Sequence, residues 1–277
     1  STICAWSPMS SADVDAIMAE LPAVDQVAII GGGYIGLEAA AVLTKLGKKV
    51  VLLEALPRIL PIEDAECSDA LAKSFRKRGI EVLAGAKVLK AAVGKDSVTL
   101  EIEAGGEKKS VTADKVLMAA GRAVNTEEMG FKEAGVQLTD RGFVKVNLAT
   151  LETTAPGVYC IGDVAGPPML AHKGSREGAV VAERIAGHKP HAIRYDNIPS
   201  VTYCHPEVAS IGLTEEQCKE KKLDFAVGRF PLSANGRARA ANETDGFVKI
   251  IRDKKYGEIL GAHIVASHAS EMIHELT

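Results

Sequence analysis

The stretch Gln26–Glu54, QVAIIGGGYIGLEAAAVLTKLGKKVVLLE, decides the fold of this chain. Gln26 to Ile30 is a short apolar run closed by three glycines, the pattern of a parallel strand buried on both faces. Ile35 to Leu46 is rich in Ala and Leu, holds no proline and stops at Gly47, which predicts a helix with a glycine terminator. Lys49 to Glu54 returns to a continuous apolar run and predicts a second strand. Gly31-Gly32-Gly33-Tyr34-Ile35-Gly36 therefore joins a strand to a helix as GxGxxG, and Glu54 ends the next strand, the full context in which this pattern binds a dinucleotide. Gly31 permits the tight turn, Gly33 lets a pyrophosphate reach the backbone, and Gly36 lets helix and strand pack closely. The helix start, running through Leu37 and Glu38, offers unpaired N–H groups to phosphates. Glu54 chooses between nicotinamide cofactors. Its carboxylate accepts hydrogen bonds from ribose hydroxyls and repels a 2′-phosphate, and Arg58 is the only nearby cation. The reading is NAD in preference to NADP.

Outward from this unit, Asp64 to Lys77 predicts a second helix and Ile80 to Leu83 a strand. Val98 to Ile102 alternates and pairs with Lys108 to Thr112 as an antiparallel excursion before Lys115 to Ala120 returns to the buried sheet. Ser10 to Asp13 is a candidate cap for a short helix closed by Pro22. Phe143 to Val146 and Val158 to Ile161 read as strands, and His172 to Ile185 as a helix. Residues 187–199 are polar with two prolines, a plausible boundary. Beyond it strands run together at Val201 to Tyr203, Val208 to Ile211, Phe225 to Phe230, Phe247 to Arg252 and Ile259 to Val265. Helices from Thr214 to Lys221 and from Ser267 onward accompany them, an α+β texture.

Composition bounds the function. The 277 residues are 47% hydrophobic and 25% charged with a net charge of −3, which excludes a disordered tail and gives no nucleic-acid footprint. No apolar run approaches the ~20 residues of a membrane span. Five widely spaced cysteines (Cys4, Cys67, Cys160, Cys204 and Cys218) form no zinc or thioredoxin-like pair and fit a reducing compartment. Gly157-Val-Tyr-Cys-Ile-Gly162-Asp163 places an acid at the end of an apolar run, where it serves either a ligand hydroxyl or a simple Gly-Asp turn. His205 reads as a structural histidine, His268, Glu271, His274 and Glu275 as a solvated or interface helix, and Lys219 to Lys222 as an exposed helix end.

Taken together, these segments resemble the C-terminal part of the flavin-dependent pyridine nucleotide–disulfide oxidoreductases, and within them the dihydrolipoyl dehydrogenase family. The resemblance rests on Gly31 to Glu38, Val50 to Glu54, and Ala119-Ala-Gly-Arg122 before Val124-Asn125. It extends through Thr154 to Asp163, Pro168 to His172, Tyr203 to Val208, Gly212 to Thr214, Phe230 to Arg237 and Gly246 to Gly261. It implies an α/β fold: a Rossmann-like NAD-binding domain with a three-layer sheet, an FAD-contacting central segment and an α+β dimerisation domain. The implied limits are a linker over 1–22, the NAD domain over 23–142, the central segment over 143–195 and the interface domain over 196–277.

The cofactors implied are NAD and FAD. Gly31, Gly32, Gly33, Tyr34, Ile35, Gly36, Leu37, Glu38 and Glu54 would hold NAD, with Gly121 near the nicotinamide half and Val88 near the adenine. Asp163 would hold the flavin ribityl chain, and Met169, Leu170, Ala171 and His172 would line the isoalloxazine edge. Glu38 in such enzymes faces a lysine upstream of this chain. The family oxidises dihydrolipoyl groups of 2-oxo acid dehydrogenase complexes through a redox disulfide and FAD, as a homodimer, in the cytoplasm or mitochondrial matrix.

Three family features are missing: a second GxGxxG, a pair of cysteines four residues apart, and the catalytic His–Glu pair. The chain also starts at Ser1 and stops at Thr277 within a predicted helix, so a fragment that is inactive by itself is expected, with no catalytic residue and no metal site of its own. Mercuric reductase, soluble transhydrogenase and a non-catalytic dinucleotide-binding module are the other readings.

Overall fold

A computed structural model describes residues 5–6 and 11–277, with side chains from residue 15 onward. Ser10, the proposed cap, and Cys4 lie outside the described residues. Two compact units form, one from residues 1–121 with 199–277 and one from 122–198.

The first unit opens with β1 (Ala5–Trp6), α1 (Ser11–Glu20), a 3-10 turn at Leu21–Ala23, β2 (Gln26–Ile30), α2 (Tyr34–Lys45) and β3 (Lys49–Glu54). Then come α3 (Ala65–Lys77), β4 (Glu81–Ala84), β5 (Ala86–Val93), β6 (Val98–Ala104), β7 (Glu107–Ala113) and β8 (Lys115–Met118). Strands β1, β8, β2, β3 and β4 lie in that order as a parallel sheet. Alternate residues of β2 and β3 face opposite ways, as strand geometry requires. Val27, Ile29, Val50 and Leu52 pack with Leu37, Leu43, Leu71 and Phe75 of α2 and α3. Ala28, Val51 and Leu53 pack with Leu100 and Ile102 of the antiparallel meander β5-β6-β7. Helices, parallel sheet and meander thus make three layers. The sequence reading lacked β5, whose residues beyond Ala86 are mostly exposed and carry no continuous apolar signal.

The second unit holds one long helix, α4 (Ala171–Ile185), and no regular strand among the described residues. The strands expected at Phe143 to Val146 and Val158 to Ile161 are corrected here to isolated pairings, Leu138 with Val144, Val146 with Thr153 and Glu152 with Tyr159. Left-handed backbone at Leu151 and Gly157 turns the chain before a ladder develops.

The C-terminal part of the first unit contains β9 (Ser200–Thr202), β10 (Glu207–Gly212), α5 (Glu215–Glu220), β11 (Phe225–Pro231), α6 (Gly236–Ala240), β12 (Phe247–Asp253) and β13 (Ile259–Ala266). Its antiparallel sheet runs β11-β12-β13-β10-β9. Val208 and Val265 on one face join the core of α2 and α3, and Ile211 and Ile264 form a separate core with Ala269 and Ile273. The helix expected from Ser267 onward is one α-turn, α7 (Ala269–Met272), followed by a 3-10 segment Ile273–Leu276.

Candidate functional site

The glycines of β2–α2 behave as their spacing predicts. Gly31 takes φ +114°, and a Cβ there would stand 2.3 Å from the Ala119 carbonyl oxygen. A Cβ on Gly36 would stand 1.9 Å from the Gly31 carbonyl oxygen. Both positions need glycine for the fold alone. Gly33 differs, because nothing lies within 4 Å of a Cβ built there. That space opens at the N-terminus of α2, where Gly33 is the N-cap and no side chain caps the helix. The N–H groups of Tyr34, Ile35 and Gly36 therefore carry the positive end of the helix toward open space, a cradle that fits a pyrophosphate. By contrast Asp64, Thr214 and Asn235 cap α3, α5 and α6 with their side chains. Leu37 is fully buried and Ile35 packs against the same core, so these two hold the helix and leave the backbone to the ligand.

Glu54 is buried at the end of β3. Its Oε2 accepts the Gly32 N–H at 2.6 Å and its Oε1 accepts the Leu56 N–H at 2.8 Å. Each oxygen keeps a second lone pair. The carboxylate thus fixes the glycine loop and still presents acceptors beside it. The Leu60 N–H donates to the Gly32 carbonyl at 2.7 Å, so both backbone groups of Gly32 are tied down. Glu38 Oε1 accepts the Tyr203 N–H at 2.9 Å. Gly121 takes φ +129° two residues past Ala119, whose N–H donates to Ile30, so it lies beside the Gly31 turn. Val88 is half-buried against the meander core and is not drawn into the glycine loop.

The loop after Glu54 is bound to the C-terminal sheet by buried charge. Lys249 Nζ lies 2.9 Å from Asp64 and 2.8 Å from Glu215, and both Lys249 and Asp64 are 1% exposed. Arg229 pairs with Glu66 beside them. Burial pushes the Asp64 carboxyl up, but hydrogen bonds from the Glu215 N–H and Lys249 outweigh it and hold it below its usual value. Burial pushes neighbouring Glu63 up, relieved partly by Ser210, His263 and Ser200. None of this was read from the sequence, since Lys249 sits in an apolar strand with no local partner.

In the second unit Asp163 opens a 3-10 turn, Asp163–Ala165, after Gly162 at φ +76°. Its Oδ2 lies 3.5 Å from Arg122 Nη1. A Cβ on Gly162 would meet nothing within 4 Å, so the turn leaves room for a ligand beside Asp163. Met169 and Leu170 lead into α4, which starts at Ala171 with no side-chain cap from Leu170, and His172 lies in its first turn at the positive end of the helix. Beneath the turn sits a pair the sequence reading overlooked. Lys173 and Glu177 are both 1% exposed and 3.3 Å apart. Lys173 donates to the carbonyls of Gly162 and Gly166, and Glu177 accepts the Gly162 N–H at 2.7 Å. Their four-residue spacing was the available signal. The Tyr195 hydroxyl donates to Glu177 at 2.9 Å, and burial and this carboxylate push its pKa up. Tyr195→Phe is expected to cost about 1.5–3 kcal/mol of stability in urea unfolding, the worth of one hydrogen bond to a charged group.

Residues 8–178 match the family described as pyridine nucleotide-disulphide oxidoreductase, and residues 198–277 match its dimerisation domain. The chain belongs to the pyridine nucleotide-disulphide oxidoreductase family. Within that family it is 43% identical over 248 residues to a dihydrolipoyl dehydrogenase of Geobacillus stearothermophilus, covering 90% of this chain and 52% of the relative. It is 44% identical over 247 residues to that of Rhizobium etli, covering 88% and 51%. Among solved structures, LpdA from Mycobacterium tuberculosis superposes with a TM-score of 0.83 at 26% identity, over 91% of this chain and 54% of that one. The HOCl-induced flavoprotein disulfide reductase RclA from Escherichia coli gives 0.83 at 30% identity, over 91% and 57%. The chain spans about half the length of the curated relatives it matches. The family uses FAD and a pyridine nucleotide, and the dimerisation domain fits a homodimer. Among the described residues no helix is long and apolar enough to cross a membrane.

Proposed function

We propose that this chain supplies the NAD-binding domain (23–142), the FAD-contacting segment (143–195) and interface residues (196–277) of a dihydrolipoyl dehydrogenase acting on lipoyl groups of 2-oxo acid dehydrogenase complexes. The observation that carries the NAD half is the open cradle at Gly33 beside Glu54. The α2 N–H groups bind and orient the pyrophosphate, and the free lone pairs of Glu54 accept ribose hydroxyls. A 2′-phosphate at that place meets a buried carboxylate, and Arg58 is already paired with Glu216 at 2.8 Å. On the flavin side, Asp163 holds the ribityl chain, while the positive end of α4 behind Met169–His172 stabilises negative charge on the ring. When bound, these cofactors supply electron transfer from a dithiol to the nicotinamide.

Calorimetric titration of the chain should show NADH binding with clear preference over NADPH. Equal or tighter NADPH binding rejects this role of Glu54. The redox cysteine pair is absent from these 277 residues. Dihydrolipoamide-dependent NADH formation by this chain alone is accordingly expected to be undetectable, and measurable turnover overturns that expectation.

A further inference from the structure

Arg58 lies four residues past Glu54 in the loop that follows β3, and it is held by a residue outside the dinucleotide-binding domain. Its Nη1 donates to Glu216 Oε1 at 2.8 Å, and its Nη2 donates to the carbonyls of Glu63 at 3.2 Å and Pro61 at 3.4 Å. Its neighbour Ile59 abuts the loop: Ile59 Cγ2 lies 3.1 Å from where a Cβ on Gly32 would stand, and Glu54 Oε2 lies 3.1 Å from the same point. The Arg58 Cα is therefore about one residue step, 3.8 Å, from that of a residue packed beside Gly32. Released from its partners, so long a side chain is free to turn toward the Glu54 end of β3, where a ribose would be bound. Glu216 sits in the first turn of α5, which Thr214 and Gln217 lock in a capping box. Its second oxygen, Oε2, is buried with no hydrogen-bond partner, so Arg58 is the only side chain hydrogen-bonded to its carboxylate.

We propose that Glu216 is a specificity-determining residue for the dinucleotide: by pinning Arg58 it withholds that cation from a 2′-phosphate. The inference rests on the reading of Gly31–Gly36 and Glu54 as a dinucleotide site. It makes cofactor choice depend on the C-terminal sheet domain as well as on the acid that ends β3.

The test is titration of NADH and NADPH against the 277-residue chain and its Glu216→Gln and Glu216→Lys variants. The NADPH-to-NADH affinity ratio is expected to rise by roughly two- to fivefold in Glu216→Gln, the factor that a partly exposed pair is worth. Glu216→Lys repels Arg58 and should raise it further. Adding Arg58→Ala to Glu216→Gln should abolish the gain, which a merely structural role of Glu216 would not predict. An unchanged ratio in both single variants, or a gain that survives Arg58→Ala, overturns the inference while leaving NADH binding by the wild-type chain intact. Failure of the wild-type chain to bind NADH overturns the dinucleotide reading itself, and this inference with it.

Discussion

Replacing Lys249 by Met is expected to lower the unfolding free energy by about 3–5 kcal/mol, the loss that follows when one partner of a buried pair is removed. The magnitude follows from Asp64, which is 1% exposed and would keep its charge with only the backbone N–H groups of Glu66 and Glu215 to solvate it. The pH dependence separates this cause from simple loss of packing. In the wild-type chain the Asp64 pKa is held below 3.8. Its contribution to stability is therefore fully present above that value and is lost as the pH falls through the lowered folded value. Without Lys249, burial outweighs the remaining donors and the folded pKa moves above the unfolded one. Stability of Lys249→Met should then rise as the medium is acidified through the raised folded value, above the unfolded one, where the wild-type Asp64 contribution is flat. Urea unfolding across that range measures both slopes. Adding Asp64→Asn should recover about 1–3 kcal/mol, the coupling expected of contacting residues. Full stability in the single variant would show that Lys249 and Asp64 do not act as a pair.

The consequence extends to the ligand site, because Asp64 ends the loop whose Leu60 N–H holds the Gly32 carbonyl. Such long-range links leave no local signal in the sequence. The strand–glycine–helix–strand unit was legible almost to the residue, because every step there has a local signal: an apolar run, a glycine turn, a glycine stop at Gly47. The meander was half legible, since Val98 to Ile102 alternates while β5 exposes most of its length. The residues that fix the two candidate sites were not legible. Lys249 meets Asp64 across 185 positions, and Arg58 meets Glu216 across 158. A charge inside an apolar strand gives no hint of which distant acid receives it. Lys173 and Glu177 were readable as an i, i+4 pair, but their burial depends on the Gly162 turn folding over them. Phe143 to Val146 failed for the opposite reason: its local pattern is strand-like, yet only single residue pairs meet there.

The glycines supply the second large effect, because they separate a requirement of the fold from a requirement of the ligand. Gly33→Ala introduces a methyl where the chain has nothing within 4 Å, so its urea midpoint should stay close to wild type. The same methyl stands in the pyrophosphate's approach to the α2 N–H groups. Overpacking of that size costs about 1–3 kcal/mol, so NADH affinity should fall roughly 5- to 150-fold. Gly36→Ala places its methyl 1.9 Å from the Gly31 carbonyl oxygen and 3.3 Å from Ile29 Cγ2. Helix and strand must separate to admit it, so stability and NADH affinity should fall together, the former by about 1–3 kcal/mol. Gly31→Ala adds a left-handed backbone at φ +114° to a 2.3 Å clash and should be the least stable of the three. Unfolding curves and NADH titrations on the same three preparations decide the matter. If Gly33→Ala binds NADH as tightly as wild type while Gly36→Ala loses only stability, the open space at Gly33 is not where the dinucleotide enters. If Gly33→Ala alone loses binding at constant stability, the cradle is a feature kept for the ligand, since the fold itself has no need of glycine there.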